Sequence, residues 1–378
     1  MMLDLLPREI LFEILSRLPV KFLPRVKCVC KGLLCLISDP IFANMLASRG
    51  PKFLILSSSG LQSLDCSKAS FTVQGALTNL DFHLPRDEII NISSVEIEGS
   101  CNGLACVALK INDNKENYRK LFLWNPSTGI YKKLPDLVLN LIGDVRMWGF
   151  GYDSSINDYK VVCATIASSG RHCRDPDSDY RYRILATKTN SWRELACVGC
   201  VPQCRNARCS HYDLPQGTLL NGTLHWLIDC YHRWPGISAF DLTEEQFSEL
   251  PMPNVETLLH FWTLSVLDGC ICLVSSSHRD RCVELWTMKE YGVESSWQKL
   301  FKLAENFREI NYVYSLRPLC FTTKLRADQD DEVVLLNNKD ELIRFKPKDR
   351  STLERLNICG YRIAQAIPYE ESLASPNI

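Results

Sequence analysis

The chain has 378 residues, of which 46% are hydrophobic and 23% are charged, and its net charge is −1. These values are ordinary for a globular protein, and the length suits one small and one large domain. The sequence has neither a strong excess of one charge nor a run of about 20 apolar residues. Composition therefore gives no argument for binding to nucleic acid or an anionic membrane, for a signal peptide or for a membrane span.

The eighteen cysteines are scattered along the chain at apolar positions such as Cys106, Cys163, Cys270 and Cys272. A small secreted protein would use cysteines as a disulfide scaffold. In a reducing compartment they act mainly as small buried hydrophobes. We therefore expect the protein in the cytoplasm, in the nucleus or in both.

The first predicted element is an amphipathic helix between Pro7 and Pro19. Ile10, Ile14 and Leu18 are spaced four residues apart, which places them on one face of a helix. Pro7 suits the start of a helix because its missing N–H would have no partner there, whereas Pro19 cannot continue one. The sequence therefore predicts about three helical turns with one apolar stripe.

Three more short segments with one apolar side follow, and the last begins after Asp39-Pro40. Their apolar residues are Leu23, Val26, Val29 and Cys30, then Leu33, Leu36 and Ile37, then Ile41, Phe42, Met45 and Leu46. A domain of about 46 residues hides too little surface to be stable alone. We therefore expect a partner to cover part of these faces. Desolvation of eight such side chains gives a gross gain on the order of 10–20 kcal/mol.

The four helices resemble an F-box. The resemblance rests on the stretches Leu6-Pro7-x-Glu9-Ile10-x-x-x-Ile14-Leu15-x-x-Leu18-Pro19-Val20-Lys21, Val29-Cys30-Lys31 and Leu36-Ile37-Ser38-Asp39-Pro40-x-Phe42. In that family the motif docks on the Skp-type adaptor of a cullin-based (SCF) ubiquitin ligase, and the rest of the chain selects the substrate. An ordinary helical cap on the next domain is the alternative interpretation.

The resemblance implies that apolar residues of the first three helices bind the adaptor. These residues are Leu6, Pro7, Ile10, Leu11, Ile14, Leu15, Leu18, Leu23, Val26, Val29, Cys30 and Leu33. Two features depart from the family pattern. Gly32-Leu33 stands where most members have Ser-Trp, and Pro24 lies early in the second helix. Glycine weakens a helix and proline is costly beyond the first turn, so both are candidates for weakening adaptor binding.

From Pro51 onward the apolar period changes from 3.6 to 2, which predicts short strands joined by polar turns. One unit recurs: an apolar pair, a polar turn and a second strand that often ends in Leu or Leu-Pro. Its copies are 123–135, 239–251, segments starting near Ile184, Leu285 and Arg344, and a degenerate one near Gln62. Asn102-Gly103, Asn221-Gly222 and Asp268-Gly269 signal further hairpins before these units, because both central residues of such a turn need positive φ.

Two hairpins per unit make a four-stranded sheet, and about six such sheets arranged radially make a propeller. This part resembles the F-box-associated, kelch-like domain of plant F-box proteins. The matching stretches are Trp124-Asn125-Pro126-Ser127-Thr128-Gly129 and Gly149-Phe150-Gly151-Tyr152-Asp153. The doubled glycine of true kelch repeats is absent, so seven blades or an open arrangement are alternatives.

The predicted fold is therefore α+β in two modules. An F-box spans residues 1–48, an all-β, kelch-like propeller of about six blades spans 52–368, and a C-terminal tail spans 369–378.

One cluster has the residue types of a metal site. It consists of Cys197, Cys200, Cys204, Cys209 and His211. Five soft ligands within 15 residues suit tetrahedral zinc, and the first pair has the spacing of a zinc knuckle. The second half of the cluster lacks a matching close pair. We therefore predict a loop between blades, with no metal and no cofactor, and keep zinc as the alternative.

The sequence shows no phosphate-binding glycine loop, no His-Glu-x-x-His and no nucleophile elbow. The F-box resemblance, together with this lack of catalytic motifs, implies a non-catalytic substrate-recognition subunit of an SCF-type ligase. Its partners are a Skp-type adaptor, through it a cullin, and an unidentified protein client, with no nucleic acid and no membrane. The alternatives are a non-ligase scaffold that binds the adaptor and a propeller enzyme with an unrelated helical cap.

Client recognition is predicted on propeller loops, because sheets beneath a loop supply stability and leave the loop free to vary. The candidate loops lie at 171–180, 231–234 and 277–280, and are rich in the residue types that anchor interfaces. The candidate residues are Arg171, Tyr180, Tyr231, Arg233, Trp234, His278 and Arg279.

Overall fold

The computed structural model describes residues 6–47, 49, 52–57, 60–65, 77–80, 82–84, 92–112, 117–139, 144–166, 180–195, 216–228, 236–254, 261–277, 282–304, 316–321, 332–337, 341–345, 353–357 and 363–377. Within these ranges the chain forms four short α-helices followed by 24 β-strands. Of the helices in these ranges, none is long and apolar enough to span a membrane.

The helical part comprises α1 (Arg8–Ser16), a 3₁₀ turn at Val20–Phe22, α2 (Leu23–Lys27), α3 (Lys31–Ile37) and α4 (Pro40–Ala47). With nine residues, α1 is shorter than the three turns predicted, because the helix ends before the residue that precedes Pro19. Pro24 lies in the first turn of α2, where proline is tolerated. Phe12 of α1 stacks on Phe42 of α4 with ring centroids 5.9 Å apart, so the helices share one small core.

The strands form six four-stranded antiparallel sheets, which are the blades of a propeller. Blade 1 contains β1 (Lys52–Ser57), β2 (Gly60–Asp65) and β3 (Leu77–Asn79), and blade 2 contains β4 (Ile92–Cys101), β5 (Leu104–Asn112), β6 (Asn117–Trp124) and β7 (Tyr131–Leu139). Blade 3 contains β8 (Asp144–Asp153), β9 (Asp158–Ile166), β10 (Tyr180–Ala186) and β11 (Ser191–Glu194), and blade 4 contains β12 (Thr218–Leu220), β13 (Thr223–Ile228), β14 (Gly236–Asp241) and β15 (Gln246–Leu250). Blade 5 contains β16 (Phe261–Leu267), β17 (Cys270–Ser277), β18 (Cys282–Met288) and β19 (Trp297–Ala304), and blade 6 contains β20 (Leu316–Phe321), β21 (Val333–Asn337), β22 (Glu341–Phe345) and β23 (Leu353–Asn357).

The last strand, β24 (Ile363–Tyr369), returns to blade 1 and pairs antiparallel with β1, where Phe53 is opposite Pro368. The inner strands β24, β4, β8, β12, β16 and β20 each contact the next, and β20 contacts β24 again. The six blades therefore form a closed ring. This confirms the six-bladed prediction and excludes the seven-bladed and open alternatives.

Apolar cores lie between neighbouring blades around the whole ring. Their members include Leu54 and Trp124 between blades 1 and 2, Leu123 and Trp148 between blades 2 and 3, Val162 and Trp226 between blades 3 and 4, Ala239 and Trp297 between blades 4 and 5, Leu285 and Leu335 between blades 5 and 6, and Leu336 and Phe53 between blades 6 and 1. At Gly149 on β8, a Cβ atom would lie 2.7 Å from side-chain carbons of Leu224 and Trp226. Glycine is needed there because blade 4 packs directly against the backbone of β8.

The three predicted hairpin turns have the backbone that their sequences require. Asn102, Asn221 and Asp268 have φ between 48° and 50°, and the glycine that follows each has φ between 72° and 75°. Each turn joins the first and second strands of a blade. Because antiparallel strands alternate in direction, the turns between third and fourth strands reach the same edge of the propeller. We call this edge the short-turn rim.

The helices and the C-terminus both attach at the short-turn rim. β1, which follows the helices, is the second strand of blade 1 and so begins at this rim. β24, the inner strand of the same blade, runs antiparallel to β1 and ends there at Tyr369. The connections between second and third strands therefore start and end at the opposite rim.

Candidate functional site

Exposed apolar side chains are concentrated on the helices. Of twelve large apolar residues that are exposed in the described ranges, seven belong to the helical part. They are Leu6, Ile10, Ile14, Phe22, Val29, Leu34 and Ile41. Scattered single residues of this kind are normal on a protein surface, but seven of them within 36 consecutive positions make the helices the candidate interaction site. We call these seven residues the helical apolar face.

The two sides of α1 differ in what covers them. Leu11, Phe12 and Leu15 are buried, and Phe12 and Leu15 belong to the core that the helices share. Ile10 and Ile14 lie one turn apart on another side of α1, and both are about half exposed, at 47% and 49%. The helix is therefore apolar on its packed side and also on a side that no described residue covers.

The structure divides the predicted adaptor-binding residues into three groups. Leu6, Pro7, Ile10, Ile14 and Val29 are exposed, whereas Leu18, Val26 and Cys30 are partly buried against the helical core. Leu11, Leu15, Leu23 and Leu33 are buried, and the last three belong to that core. Adaptor contact by these four residues stays a prediction, and in this structure their side chains present little surface to a partner.

Three members of the helical apolar face were not predicted as adaptor contacts: Phe22, Leu34 and Ile41. Phe22 lies in the 3₁₀ turn, and Leu34 follows the buried Leu33 on α3. Helical periodicity assigns apolar residues to one stripe, so it gave no reason to separate Leu34 from the core. Ile41 was recognised as part of an apolar segment, but that segment also contains the buried Phe42.

Both departures from the F-box pattern are compatible with the helices. Leu33 fills the core, and its N–H donates to Sγ of Cys30 at 3.5 Å, which caps the start of α3. A Cβ atom on Gly32 would contact only that same sulfur, at 3.9 Å, among the described residues. Pro24 causes no break because it lies in a first turn. Their effect on adaptor affinity stays a prediction.

Asp39 organises the start of α4. Its carboxylate accepts the N–H of Ile41 at 2.8 Å and forms an ion pair with Arg8 of α1, whose guanidinium lies over the ring of Phe12. A carboxylate at a helix start caps free N–H groups and complements the helix dipole. The Asp39-Pro40 pair, predicted as a stop, thus ends one helix and begins the next.

The predicted client-binding residues Arg171, Tyr231, Arg233, Trp234, His278 and Arg279 lie outside the described residues. Tyr180 is the first residue of β10, and its side chain is outside the described part. The three candidate loops lie between β9 and β10, between β13 and β14, and between β17 and β18. Each loop therefore joins the second and third strands of a blade, and those strand ends lie at the rim opposite the helices.

The cluster Cys197, Cys200, Cys204, Cys209 and His211 also lies outside the described residues, so the zinc question stays open. Among the residues that the structure does describe, no group of three or more His, Cys, Asp or Glu side chains is arranged to hold a metal ion.

Thiols of the propeller are part of its packing. Burial raises the pKa of the Cys163 thiol to about 12 and that of Cys272 to about 11. Burial also raises the pKa of the Cys106 thiol. Nucleophilic cysteines have lowered pKa values, so these three residues behave as the small buried hydrophobes that the sequence predicted.

His225 links blades 4 and 5. Its ring lies 3.1 Å from the carbonyl oxygen of Thr218, which is opposite it on β12, and 2.7 Å from the hydroxyl of Tyr291. Burial lowers the pKa of His225 to about 4, although hydrogen bonds to the backbone oppose the shift. The neutral ring donates from Nδ1 to Thr218 and accepts the Tyr291 hydroxyl at Nε2. Both nitrogens are engaged, which gives the residue a structural role.

Lys160 links blades 3 and 4 at the short-turn rim. Its Nζ atom lies 2.7 Å from Asp153, 2.9 Å from Glu245 and 2.5 Å from the carbonyl oxygen of Leu242. Burial raises the pKa of Asp153, but hydrogen bonds from Lys160 and Ser155 outweigh it and lower the pKa to about 2. All three donors of Lys160 have acceptors, so the group is a cross-blade ion cluster rather than an acid–base pair poised for catalysis.

Comparison with known proteins agrees with this architecture. The F-box domain family matches residues 3–44, and the family described as the F-box associated beta propeller domain matches residues 53–362. An F-box/kelch-repeat protein of Arabidopsis thaliana is 30% identical, over 79% of this chain and 79% of its own length. The F-box protein CPR1 of the same plant is 29% identical, over 94% of this chain and 85% of its own length.

The two matches follow each other in the order of the helices and the ring of blades, and together they cover most of the sequence. The chain therefore belongs to the family of F-box proteins whose second module is an F-box associated β-propeller.

Proposed function

We propose that this protein is the substrate-recognition subunit of an SCF-type (Skp–cullin–F-box) ubiquitin ligase. The F-box binds a Skp-type adaptor and, through it, a cullin. The propeller binds a protein client, which is ubiquitinated and then degraded. We place this activity in the cytoplasm, the nucleus or both, in keeping with a chain whose described cysteines are all free thiols.

The observation that carries the proposal is the helical apolar face. Ile10, Ile14 and Val29 expose about half or more of their surface on a domain whose relatives bind adaptors. Full burial of each such side chain contributes ~1.5–3 kcal/mol. Because these side chains are already about half buried, burial of the rest contributes about half of this, so all seven residues of the helical apolar face together contribute roughly 5–10 kcal/mol toward association.

The charges around this face support an acidic partner. Lys21, Arg25 and Lys31 are exposed and form no ion pair in the described ranges, whereas Glu9 is the one acidic residue of the described helices in the same situation. Unpaired charges at the border of an interface speed association with a surface of opposite sign, and salt screens this effect. We expect association with the adaptor to slow as ionic strength rises.

The protein acts by positioning, since F-box proteins are typically non-catalytic adaptors of substrates. A client held on the propeller keeps its lysines at high effective concentration near the ubiquitin-carrying enzyme. The arrangement of the modules suits this role, because the helices attach at the short-turn rim and the candidate client loops start and end at the opposite rim. A bound client and a bound adaptor do not compete for one surface.

The test is reconstitution with purified components. The full chain is mixed with a Skp-type adaptor and its cullin, and complex formation is followed by gel filtration. We expect a stable complex that contains all three proteins. A complex with the adaptor that excludes the cullin would favour the scaffold alternative, and failure to bind the adaptor would overturn the proposal.

A further inference from the structure

The segment Glu370–Ala374 follows the last strand and touches both modules. We infer that this segment, the C-terminal strap, holds the F-box in one orientation on the propeller, and that Glu371 is the residue that positions it. The inference does not require a ligase. Its functional consequence, a fixed distance between client and ubiquitin-carrying enzyme, rests on the proposed function.

The first contact is an ion cluster on Glu371. One carboxylate oxygen of Glu371 lies 3.2 Å from Arg49, which follows α4, and 2.8 Å from Lys52, the first residue of β1. The exposed fraction of the side chain is only 21% for Arg49, 15% for Glu371 and 17% for Lys52. A partly buried cluster of this kind is worth more than a surface ion pair. Without Glu371, two cations from different modules would face each other.

Arg49 extends this cluster to the first helix. Its guanidinium donates to the carbonyl oxygen of Leu18 at 2.8 Å and also to that of Ser16, at the C-terminal end of α1. The last carbonyl groups of a helix have no partner within the helix, so Arg49 satisfies a need that α1 cannot meet itself. A cation at this end also complements the helix dipole. Arg49 thus joins α1 to the strap.

Leu373 supplies an apolar contact to the F-box. Its side chain packs against the helical core that contains Leu15, Leu23, Leu33 and Phe42. Leu373 is the single residue from beyond position 50 among the described members of that core. The F-box therefore completes its core with a residue from the other end of the chain. This answers part of the expectation that a domain of about 46 residues needs a partner.

The propeller side of the strap is held by polar contacts. Nδ2 of the buried Asn125 donates to the carbonyl oxygens of Ser372 at 3.1 Å and Ala374 at 2.8 Å. The N–H of Ser372 donates to the hydroxyl of Ser127 at 3.3 Å. At Gly103, a Cβ atom would lie 2.0 Å from the hydroxyl of Ser372. The Asn-Gly turn and the Asn125–Ser127 turn of blade 2 thus form the seat of the strap.

These contacts alternate along four residues: Glu371 and Leu373 contact the F-box, with Glu371 also bound to Lys52 of β1, and Ser372 and Ala374 bind blade 2. A segment fixed to both modules at successive positions leaves little freedom for one to rotate against the other. We therefore expect the helices and the propeller of the wild type to unfold in one transition. When the strap is weakened, we expect two separate transitions.

The chain offers separate probes for the two modules. All eight tryptophans lie after residue 50, so tryptophan fluorescence reports only on the propeller. The α-helices of the described part all lie before residue 50, so circular dichroism at 222 nm reports mainly on the F-box. Thermal unfolding of the full-length wild type should give coincident transitions with the two probes.

The test compares Glu371→Gln and Leu373→Ala with the control Glu370→Gln. Glu370 is exposed and adjacent, so its substitution makes the same change in charge without touching the cluster. We expect both strap variants to lower the midpoint at 222 nm by roughly 5 °C or more, while the fluorescence midpoint stays within about 2 °C of the control. Trypsin cleavage at Arg49, followed by mass spectrometry, should become at least about tenfold faster in both variants.

Two outcomes would overturn the inference. One is a wild type whose helices already melt well below the propeller. The other is a pair of strap variants that behave like Glu370→Gln with both probes. Binding of the purified Skp-type adaptor is measured in parallel, and its Kd should change less than about twofold, because the helices stay mostly folded. Absence of adaptor binding in every protein, wild type included, would contradict the proposed function and leave the strap result intact.

Discussion

Trp297 of blade 5 donates its indole N–H to the carbonyl oxygen of Pro251 in blade 4, at a distance of 2.9 Å. Trp192 of blade 3 makes the same contact with Pro135 of blade 2, at 3.0 Å. In each case the proline belongs to the Leu-Pro that closes one repeat, and the tryptophan belongs to the fourth strand of the next. The Leu-Pro of one repeat and the tryptophan of the next are therefore the two halves of one contact between blades.

We predict that Trp297→Phe and Trp192→Phe each lower the free energy of unfolding by ~1–2 kcal/mol, because a partly buried carbonyl group loses its donor. Urea unfolding followed by the fluorescence of the seven remaining tryptophans measures the effect. Trp124→Phe is the matched control, since the buried indole nitrogen of Trp124 has no hydrogen-bond partner in the described structure. An equal loss in the control would show that lost packing, and not the hydrogen bond, causes the destabilisation.

The helical apolar face leads to a second prediction. Ile14→Asp should weaken binding of the Skp-type adaptor at least about 100-fold, because the new carboxylate is desolvated without a partner. Ile156→Asp is the matched control, since Ile156 is 51% exposed in a turn of blade 3 and Ile14 is 49% exposed. Isothermal titration calorimetry should find unchanged affinity in the control. Equal affinities for both variants would remove Ile14 from the interface.

A third prediction concerns pH. Arg119 lies 3.0 Å from Glu98 and also pairs with the more exposed Glu96, so one cation serves two carboxylates. Burial raises the pKa of Glu98 to about 8, the charge of Arg119 partly offsets this, and the charge of Glu96 adds to it. The unfolded value is 4.5, so the folded chain binds this proton more tightly. The stabilisation of the folded chain by this tighter proton binding is complete below about pH 4.5 and is lost as the pH rises to about 8.

Glu98→Gln removes this titration. The melting temperature of the variant, relative to wild type, should therefore rise steadily from pH 5 to pH 8. Glu249→Gln, on the exposed side of β15, should keep a constant offset from wild type over the same range. Parallel profiles for Glu98→Gln and wild type would show that Glu98 is ionised in the folded chain throughout.

The fourth prediction places client binding at the rim opposite the helices. Arg233→Ala combined with Trp234→Ala should reduce capture of the client while adaptor binding stays unchanged. Affinity purification with proteasome inhibition, followed by mass spectrometry, measures capture. Val293→Ala, in an exposed turn of blade 5 at the short-turn rim, is the control. A collapsed melting transition in the double variant would assign Arg233 and Trp234 to the core and reject the prediction.

The fifth prediction concerns metal. If the segment from Cys197 to His211 is a loop only, the purified protein should contain well under one zinc ion per chain. Replacement of Cys200 and Cys204 by serine should then leave the melting temperature nearly unchanged. Elemental analysis that finds stoichiometric zinc in wild type and none in the double variant would instead establish the alternative.

The propeller was predictable because its signals are local. Asn221-Gly222 specifies a turn through the φ values of two adjacent residues, and the alternation of apolar residues specifies the strands beside it. The number of blades and the closure of the ring were harder to predict, because they depend on contacts between strands far apart in sequence, such as β20 with β24. The kelch-type glycines, which would have indicated them, are absent.

The helical site was predictable only in part. Periodicity found α1, but Ile10 and Phe12 are both apolar, and Phe12 is buried because it stacks on Phe42 of α4, whereas Ile10 is 47% exposed. The role of Glu371 had no signal in the sequence. It is an ordinary acidic residue near the end of the chain, and its partners Arg49 and Lys52 are more than 300 positions away.

Closure of blade 1 by β24 has a consequence for synthesis of the protein. On the ribosome, β1 to β3 emerge early, but their inner partner strand emerges only after all the other blades. Until then, β1 carries an unpaired edge of the kind that invites pairing with other chains. This edge is covered last, by β24, and the strap that follows β24 also holds the F-box. Completion of the ring and attachment of the F-box to the propeller therefore both wait until β24 and the strap have been made.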